Sequence, residues 1–300
     1  MFSRKMPRVT NIWSKVENEQ ANFFSKVVIE STGAFGYKID RHSQVITLEA
    51  SGAVANMPED SVEVNDGLIR KILLEQVNPE TLTVQIFTEH PAEHRVEVTG
   101  GIPVKTAVIL ERSFLVSLLK GKKIVIDPGH GGKDLGGRGP VNLIEKNVVA
   151  PIANNLKKMF EQVGAKVILT REGDESISTR QRVDMAAKEK ADLFIGIHTY
   201  SAKSSKVGGA AVLYGPHPGS ENAAEIVREE LIKKLKIRDR GLAKSREYIA
   251  LSGMPAVEVE VVTITNWVEE GLLRSPTFHK KAAEGIFNGV KNYFAIMTRS

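Results

Sequence analysis

The 300-residue chain contains no cysteine, so disulfides and thiolate metal sites are excluded and only histidine and carboxylate side chains remain as strong metal ligands. No apolar run reaches the ~18 residues that a membrane-spanning helix requires, and no interleaving of basic and aromatic residues marks a nucleic-acid surface. The opening residues, MFSRKMPRVTNIW, carry basic charge without the apolar core of about seven or more residues that a secretory signal needs. That predicts a chain without a signal peptide.

What is present is ordinary for a folded protein. Hydrophobic residues at 42% and charged ones at 26% argue against disorder, and the length suits two domains, each with its own core. Charge is uneven: residues 1 to 120 hold 13 Lys/Arg against 15 Asp/Glu, whereas the remainder holds 28 against 21. A basic second half suits an anionic polymer, although solvated helix faces such as Lys233-Lys234 and Lys280-Lys281 account for much of the excess.

Residues 7 to about 112 read as all-β. Period-two segments recur at Lys26 to Glu30, Gln44 to Glu49, Ile69 to Leu74, Leu82 to Phe87, Arg95 to Val98 and Lys105 to Arg112, separated by turn signals such as Thr32-Gly33, Asn65-Asp66-Gly67 and Asn78-Pro79. VVIESTGAFGYKI, from Val27, is echoed by VQIFTEHPAEHRV, from Val84. Two similar half-sheets facing each other would make a small sandwich. The boundary falls between Arg112 and Gly121, giving expected domains at 1–112 and 121–300 with SFLVSLLK (113–120) as connector.

After Gly121, strand and helix patterns alternate, which predicts an α/β domain with a mostly parallel sheet flanked by helices. Strands are expected near Ile124 to Ile126, Lys166 to Thr170, Leu193 to Ile197, Ala210 to Tyr214 and Val257 to Val261. A helix after Glu145 carries Val148, Ile152, Leu156, Met159 and Val163 on one face and stops at Gly164. Started near Asn147 it would keep Pro151 in its first turns at little cost; started at Glu145 it should kink. Further helices are expected over Thr179 to Lys190, Glu221 to Leu235 and Thr277 to Phe294, the last packing through Phe278, Ala282, Ile286 and Val290.

Function concentrates in IVIDPGHGGKDLGG, Ile124 to Gly137, where a buried strand ends abruptly and leaves His130 on a glycine-rich turn. Open α/β sheets place their chemistry at this strand edge. A phosphate loop is disfavoured, because the Walker spacing is missing and Asp134 follows Lys133 where Ser or Thr should stand. His198 closes the strand Leu193 to Ile197, Glu145 opens a helix, and Glu260 lies in the run Val257 to Val262. Two imidazoles, one carboxylate ligand and a spare carboxylate are what a catalytic zinc centre requires. Each has a duller reading: a strand-end histidine is ordinarily structural, and Glu145 would favour a helix N-terminus by charge alone. A carboxylate inside Val-rich flanks is harder to dismiss, since burial without a partner is costly.

DPGHGG, the pair Glu145-Lys146, the strand ending at His198 and the segment MPAVEVEVVTITN (Met254 to Asn266) together resemble the zinc-dependent N-acetylmuramoyl-L-alanine amidases of the amidase-3 family, in the family's order and over roughly the last 180 residues. The resemblance implies that His130, Glu145 and His198 hold Zn2+ and that Glu260 is the catalytic carboxylate. Glu258, which strand alternation puts on the same face, is the competitor. Asp127, Asp134 and Arg182 match family-like positions with supporting roles, while His42, His90, His94, His217 and His279 match no motif. The implied substrate is peptidoglycan, cut at the amide joining N-acetylmuramic acid to L-alanine, and the implied location is the periplasm or cell wall, with the signal already removed. A phage-type lysin is the other route.

The first 112 residues resemble in layout the AMIN domain, which precedes such modules and directs them to the envelope, implying a glycan or an envelope protein as its partner. The competing readings are a catalytically inactive wall-binding module that recruits a partner hydrolase, and a zinc carboxypeptidase or deacetylase on the same polymer. Two departures bear on substrate seating: Thr199-Tyr200 stand where the family shows Ala-Asn, and Val262-Thr263 where it shows glycine and an aromatic. Between His198 and Ala210 there is little room for the inserted regulatory helix that plugs some relatives, so no such plug is expected.

Overall fold

The computed structural model describes residues 6–19 and 22–298, so Met1 to Lys5 of the signal-peptide reading lie outside the described residues. The chain divides into two compact units, the first ending at Ser117 and the second beginning at Leu118.

The first unit is built from β1 (Arg8–Glu19), β2 (Asn22–Ser31), β3 (Gly36–His42), β4 (Val45–Ser51), β5 (Val54–Ala55), β6 (Ser61–Glu63), β7 (Ile69–Asn78), β8 (Thr81–Thr88), β9 (His94–Thr99) and β10 (Val104–Glu111). They form two five-stranded sheets, ordered β5-β1-β2-β10-β9 and β3-β4-β8-β7-β6, with antiparallel neighbours throughout except β1 with β5. The echo has a structural meaning: from Val27 the chain passes from the first sheet into β3 of the second, and from Val84 it passes from the second into β9 of the first. Alternation is clean in the second sheet, where Ile46, Leu48, Leu82, Val84 and Ile86 are buried. In the first sheet both faces are apolar. Val27 and Ile29 are buried on one, and Val28, Ala107 and Ile109 cluster with Trp13 and Phe24 on the other.

The division falls within α1 (Ser113–Leu119), and the second unit continues with β11 (Lys123–Pro128), α2 (Glu145–Glu161), β12 (Lys166–Leu169), α3 (Thr179–Glu189), β13 (Leu193–Tyr200), β14 (Ala210–Tyr214), α4 (Pro218–Leu235), β15 (Asp239–Lys244), β16 (Ala256–Thr263), α5 (Trp267–Leu273) and α6 (Pro276–Met297). The sheet order is β12-β11-β13-β16-β14-β15, and every pair is parallel except β14 with β16. β11 and β13, covered on both faces, read as continuous apolar runs because neither face meets water. Helices α2, α4 and α6 pack together on one side. There Phe160 meets Phe287 at 5.2 Å, and Gly289 lets the backbone of α6 approach Val227 so closely that a Cβ would lie 2.4 Å away. On the other side Ala186 of α3 joins Val125, Phe194, Tyr248, Leu251 and Ala256 in a second core.

Helix α2 begins at Glu145, so Pro151 sits inside it and the helix loses one ring of backbone bonding. Helix α4 starts three residues before the expected Glu221, because His217 caps it and Pro218 fits its first position. Strand β15 and helix α5 have no counterpart in the sequence reading: DRGLAK and WVEEGLL lack a period long enough to announce either.

A candidate metal centre at the carboxyl edge of the sheet

Strands β11, β13 and β16 run side by side and parallel, so their carboxyl ends reach one edge. His130 lies two residues beyond β11 in the left-handed conformation (φ 62°), which turns its ring back over the edge. The turn that carries it buries three carbonyls, and two arginines satisfy them. Arg171 donates to Pro128 O (2.8 Å) and Gly129 O (3.0 Å), and Arg182 donates to Pro128 O (3.1 Å) and His130 O (2.6 Å). At two of the glycines the space a side chain would need is taken by the histidine rings themselves. A Cβ on Gly129 would lie 2.3 Å from the His198 ring, and one on Gly136 2.5 Å from the His130 ring.

Glu145 is the first residue of α2, a helix end that favours negative charge. Its Oε2 accepts from Gly137 N at 2.7 Å and its Oε1 from Thr199 N at 2.6 Å. The second bond exists because the β13/β16 register shifts between His198 and Tyr200, which turns the Thr199 amide out of the ladder. His130 Nε2 lies 3.2 Å from Glu145 Oε2, and His198 Nδ1 lies 3.5 Å from Oε1. The two rings meet edge to face at 5.1 Å. One donor atom from each of His130, Glu145 and His198 therefore lies within 4.8 Å of the other two.

Burial penalises the Glu145 carboxylate, but bonds from both imidazoles outweigh it and hold this acid far below the usual carboxylate range. Burial likewise opposes charge on His198, yet the facing carboxylate wins and its pKa is pushed up to about 9. His130 is raised by the same balance. Without a cation the three groups thus form a charged cluster. Their outer atoms are engaged as well: His130 Nδ1 contacts Asp134 Oδ2 at 2.9 Å, and His198 Nε2 contacts the Tyr248 hydroxyl at 3.1 Å. Two nitrogens and one carboxylate, with inner atoms converging and outer atoms held, fit a borderline divalent ion such as zinc better than a hard ion that prefers oxygen alone.

Glu260 stands opposite His198 in the β13/β16 register, and Glu258 opposite Gly196, so both carboxylates share the His198 face. Their partners differ. Glu258 accepts a bond from Ser245, and burial pushes its carboxyl up; Glu260 pairs with Arg240 of β15. Arg240 also donates to Gly209 O at 3.2 Å and lies over the Tyr200 ring, 3.9 Å from its centroid. The unusual Tyr200 is thus the platform for the arginine that grips Glu260. A second group with ligand atoms in reach of one another, His198 with Glu247 and Glu258, shares His198 with the first.

Asp127 is fully buried and accepts from Thr170, Arg182 and the Tyr248 hydroxyl, while the adjacent Glu269 and Glu270 clamp loops. Glu269 accepts from Gly209 N (2.6 Å) and Thr263 N (2.7 Å), and Glu270 from Val141 N (2.7 Å) and Leu143 N (3.0 Å). Sequence reasoning missed Tyr248, Arg240, Arg171 and both of these glutamates. Only the glutamates offered a signal, as paired acids just after the Asn266 cap. Among the described residues no helix lies between β13 and β14. A cavity of about 450 Å³ adjoins the centre, lined by His130, Lys133, Ser176, Thr179, Gln181 and Glu247.

Residues 124–292 match the family model described as N-acetylmuramoyl-L-alanine amidase. The amidase LytC of Bacillus subtilis is 36% identical over 201 residues, covering 66% of this chain but only 40% of LytC. Among solved structures, the N-acetylmuramoyl-L-alanine amidase AmiC2 of Nostoc punctiforme is 34% identical with a TM-score of 0.56, covering 59% of this chain and 99% of that one. The CwlD amidase of Clostridioides difficile, solved in complex with the GerS lipoprotein, is 28% identical with a TM-score of 0.55, covering 59% of this chain and 100% of its own.

Proposed function

The chain belongs to the N-acetylmuramoyl-L-alanine amidase family and is a peptidoglycan amidase, and we propose that it works as a zinc hydrolase whose metal is held by His130, Glu145 and His198 and whose proton carrier is Glu260. The observation that carries this reading is the approach of three donor atoms to within 4.8 Å at the sheet edge, with Glu260 on the neighbouring strand in register with His198. Bound there, zinc would polarise the lactyl carbonyl and bring the pKa of water from ~15.7 towards ~7.

The chain's own residues do the rest. The amides of Gly137 and Thr199 fix the Glu145 carboxylate, so its inner face is presented without reorganisation. Glu260 takes the proton of the attacking water on a carboxylate oxygen and returns it to the L-alanine nitrogen, which leaves as a neutral amine rather than an anion. Arg240, braced by Tyr200, fixes where that carboxylate sits.

Relatives named as cell wall amidases, such as the probable cell wall amidase LytH of Staphylococcus epidermidis, support action outside the cytoplasm. For the first unit, two five-stranded sheets linked by the internal echo favour an AMIN-like targeting role. The lipoprotein complex of CwlD bears on the amidase unit, for which it supports an envelope protein as a partner. No observation favours the inactive wall-binding alternative.

The test is metal analysis of the purified protein together with mass spectrometry of digested sacculi. One zinc per chain and new free L-alanine amino groups on released stem peptides are expected. Release of a free amino acid or of acetate instead would move the reaction to another bond.

A further inference from the structure

We infer that Tyr248 is the positioning residue of the centre: by accepting the Nε2–H of His198 it selects the imidazole tautomer whose Nδ1 lone pair faces inward. This rests on the zinc reading above.

Tyr248 is fully buried, with its hydroxyl 2.7 Å from Asp127 Oδ2 and 3.1 Å from His198 Nε2. The other oxygen of Asp127 is occupied by Thr170 and Arg182, and an ionised carboxylate only accepts. A phenol has a single proton, so it goes to Asp127. What the hydroxyl then offers His198 is a lone pair, and the Nε2 facing it must donate. When the charged ring of the metal-free cluster gives up one proton it keeps this Nε2–H, which leaves Nδ1 unprotonated, 3.5 Å from Glu145 Oε1 and facing into the cluster.

The position is built rather than incidental. The Tyr248 ring packs against Phe194 at 4.7 Å and lies over Gly196, where a Cβ would come within 2.5 Å of the hydroxyl oxygen. Thus the strand residue two before His198 is left bare to admit this side chain. The same logic operates at the other imidazole with different parts: His130 Nδ1 is held by Asp134, a mostly exposed carboxylate, and Nε2 faces Glu145. The competing acceptor for His198 Nε2 is Glu247, whose nearest oxygen is 3.9 Å away, beyond hydrogen-bond range.

The test compares wild type, Tyr248→Phe and Glu247→Gln. Zinc affinity is read by chelator competition, and the His198 tautomer by nitrogen-15 NMR of the metal-free protein at a pH where the ring is neutral. Phenylalanine keeps the ring packing and removes the hydroxyl. We expect Nε2–H in wild type, a mixed tautomer in Tyr248→Phe, and zinc binding weaker in that variant by roughly 10- to 100-fold, the usual effect of removing a group that orients a ligand. Glu247→Gln should keep the wild-type Nε2–H tautomer, because its carboxylate stands 3.9 Å from that nitrogen. An Nδ1–H tautomer in wild type overturns the inference, even should Tyr248→Phe fail to fold. Unchanged zinc affinity and tautomer in Tyr248→Phe, or the change of tautomer appearing in Glu247→Gln instead, overturns it too. Wild type that binds no zinc yet shows Nε2–H removes the metal reading and leaves the tautomer assignment standing.

Discussion

Each unit buries a knot of charge, and the two knots are built to opposite ends. In the first, Arg112 donates to Ser25 Oγ (2.8 Å) and Asp66 O (3.0 Å), Ser25 donates to Asp66 Oδ2 (2.8 Å), and Asp66 Oδ1 takes the amides of Leu68 and Ile69. Every bond closes inward and tethers the loop before β7 to the last strand. In the second, Glu145 is buried more deeply and likewise accepts two amides, but its remaining lone pairs face two imidazoles beside an open cavity. Buried charge alone therefore does not mark a site. What marks it is a set of acceptor atoms that face one another, an arrangement that repels itself unless protons or a cation lie between.

The contrast can be broken by mutation. The largest effect is expected at Glu260→Ala, which should lower peptidoglycan turnover by about 10²- to 10⁴-fold, the usual contribution of a general acid–base, with zinc content unchanged by metal analysis. His130→Ala should lose both. Turnover at the wild-type rate in Glu260→Ala would remove that residue from the chemistry. In the first unit, Arg112→Ala leaves Asp66 buried without its cation and should destabilise that unit by about 3 kcal/mol in denaturant unfolding. Zinc affinity should not change, because the closed knot has no metal to lose. Gly196→Ala should cost about 1–3 kcal/mol through overpacking against Tyr248, and should also weaken zinc binding, coupling packing to site where Arg112→Ala does not.

The smallest effect is graded by pH. His198 titrates near pH 9 in the metal-free protein, so below that value a cation must displace its proton. Zinc affinity should therefore fall as pH drops from about 9 towards neutrality, by up to about tenfold per unit for each proton displaced, and calorimetry in buffers of different ionisation enthalpy should register the release. Affinity independent of pH across this window would mean the ring is already neutral.

How much of this was legible in the chain differs residue by residue. The second sheet of the first unit could be read from alternation, since Leu82, Val84 and Ile86 face the core and the residues between do not. β1 could not, because its RVTNIWSKVENE run is mostly polar and is held by pairing along β2 rather than by its own pattern. In the second unit the motif residues were legible as residues. The partner of Glu260 was not, since Arg240 comes from DRGLAK, an edge strand without apolar period. Tyr200 could be read only as a departure from the family, and its stacking on Arg240 supplies the physical content of that departure.

The sequence by itself determined the two fold classes and singled out His130, Glu145, His198 and Glu260 as candidates, because periodicity and short-range turn chemistry are local and a motif is carried by adjacent residues. Only the tertiary structure decided which atom of each faces which. Asp127, His198 and Tyr248 are up to 121 positions apart, and their hydrogen bonds exist because parallel strands end together and a bare glycine admits one ring between them. Tautomer and ion pairing are properties of that three-dimensional contact, and a linear pattern has no term for them.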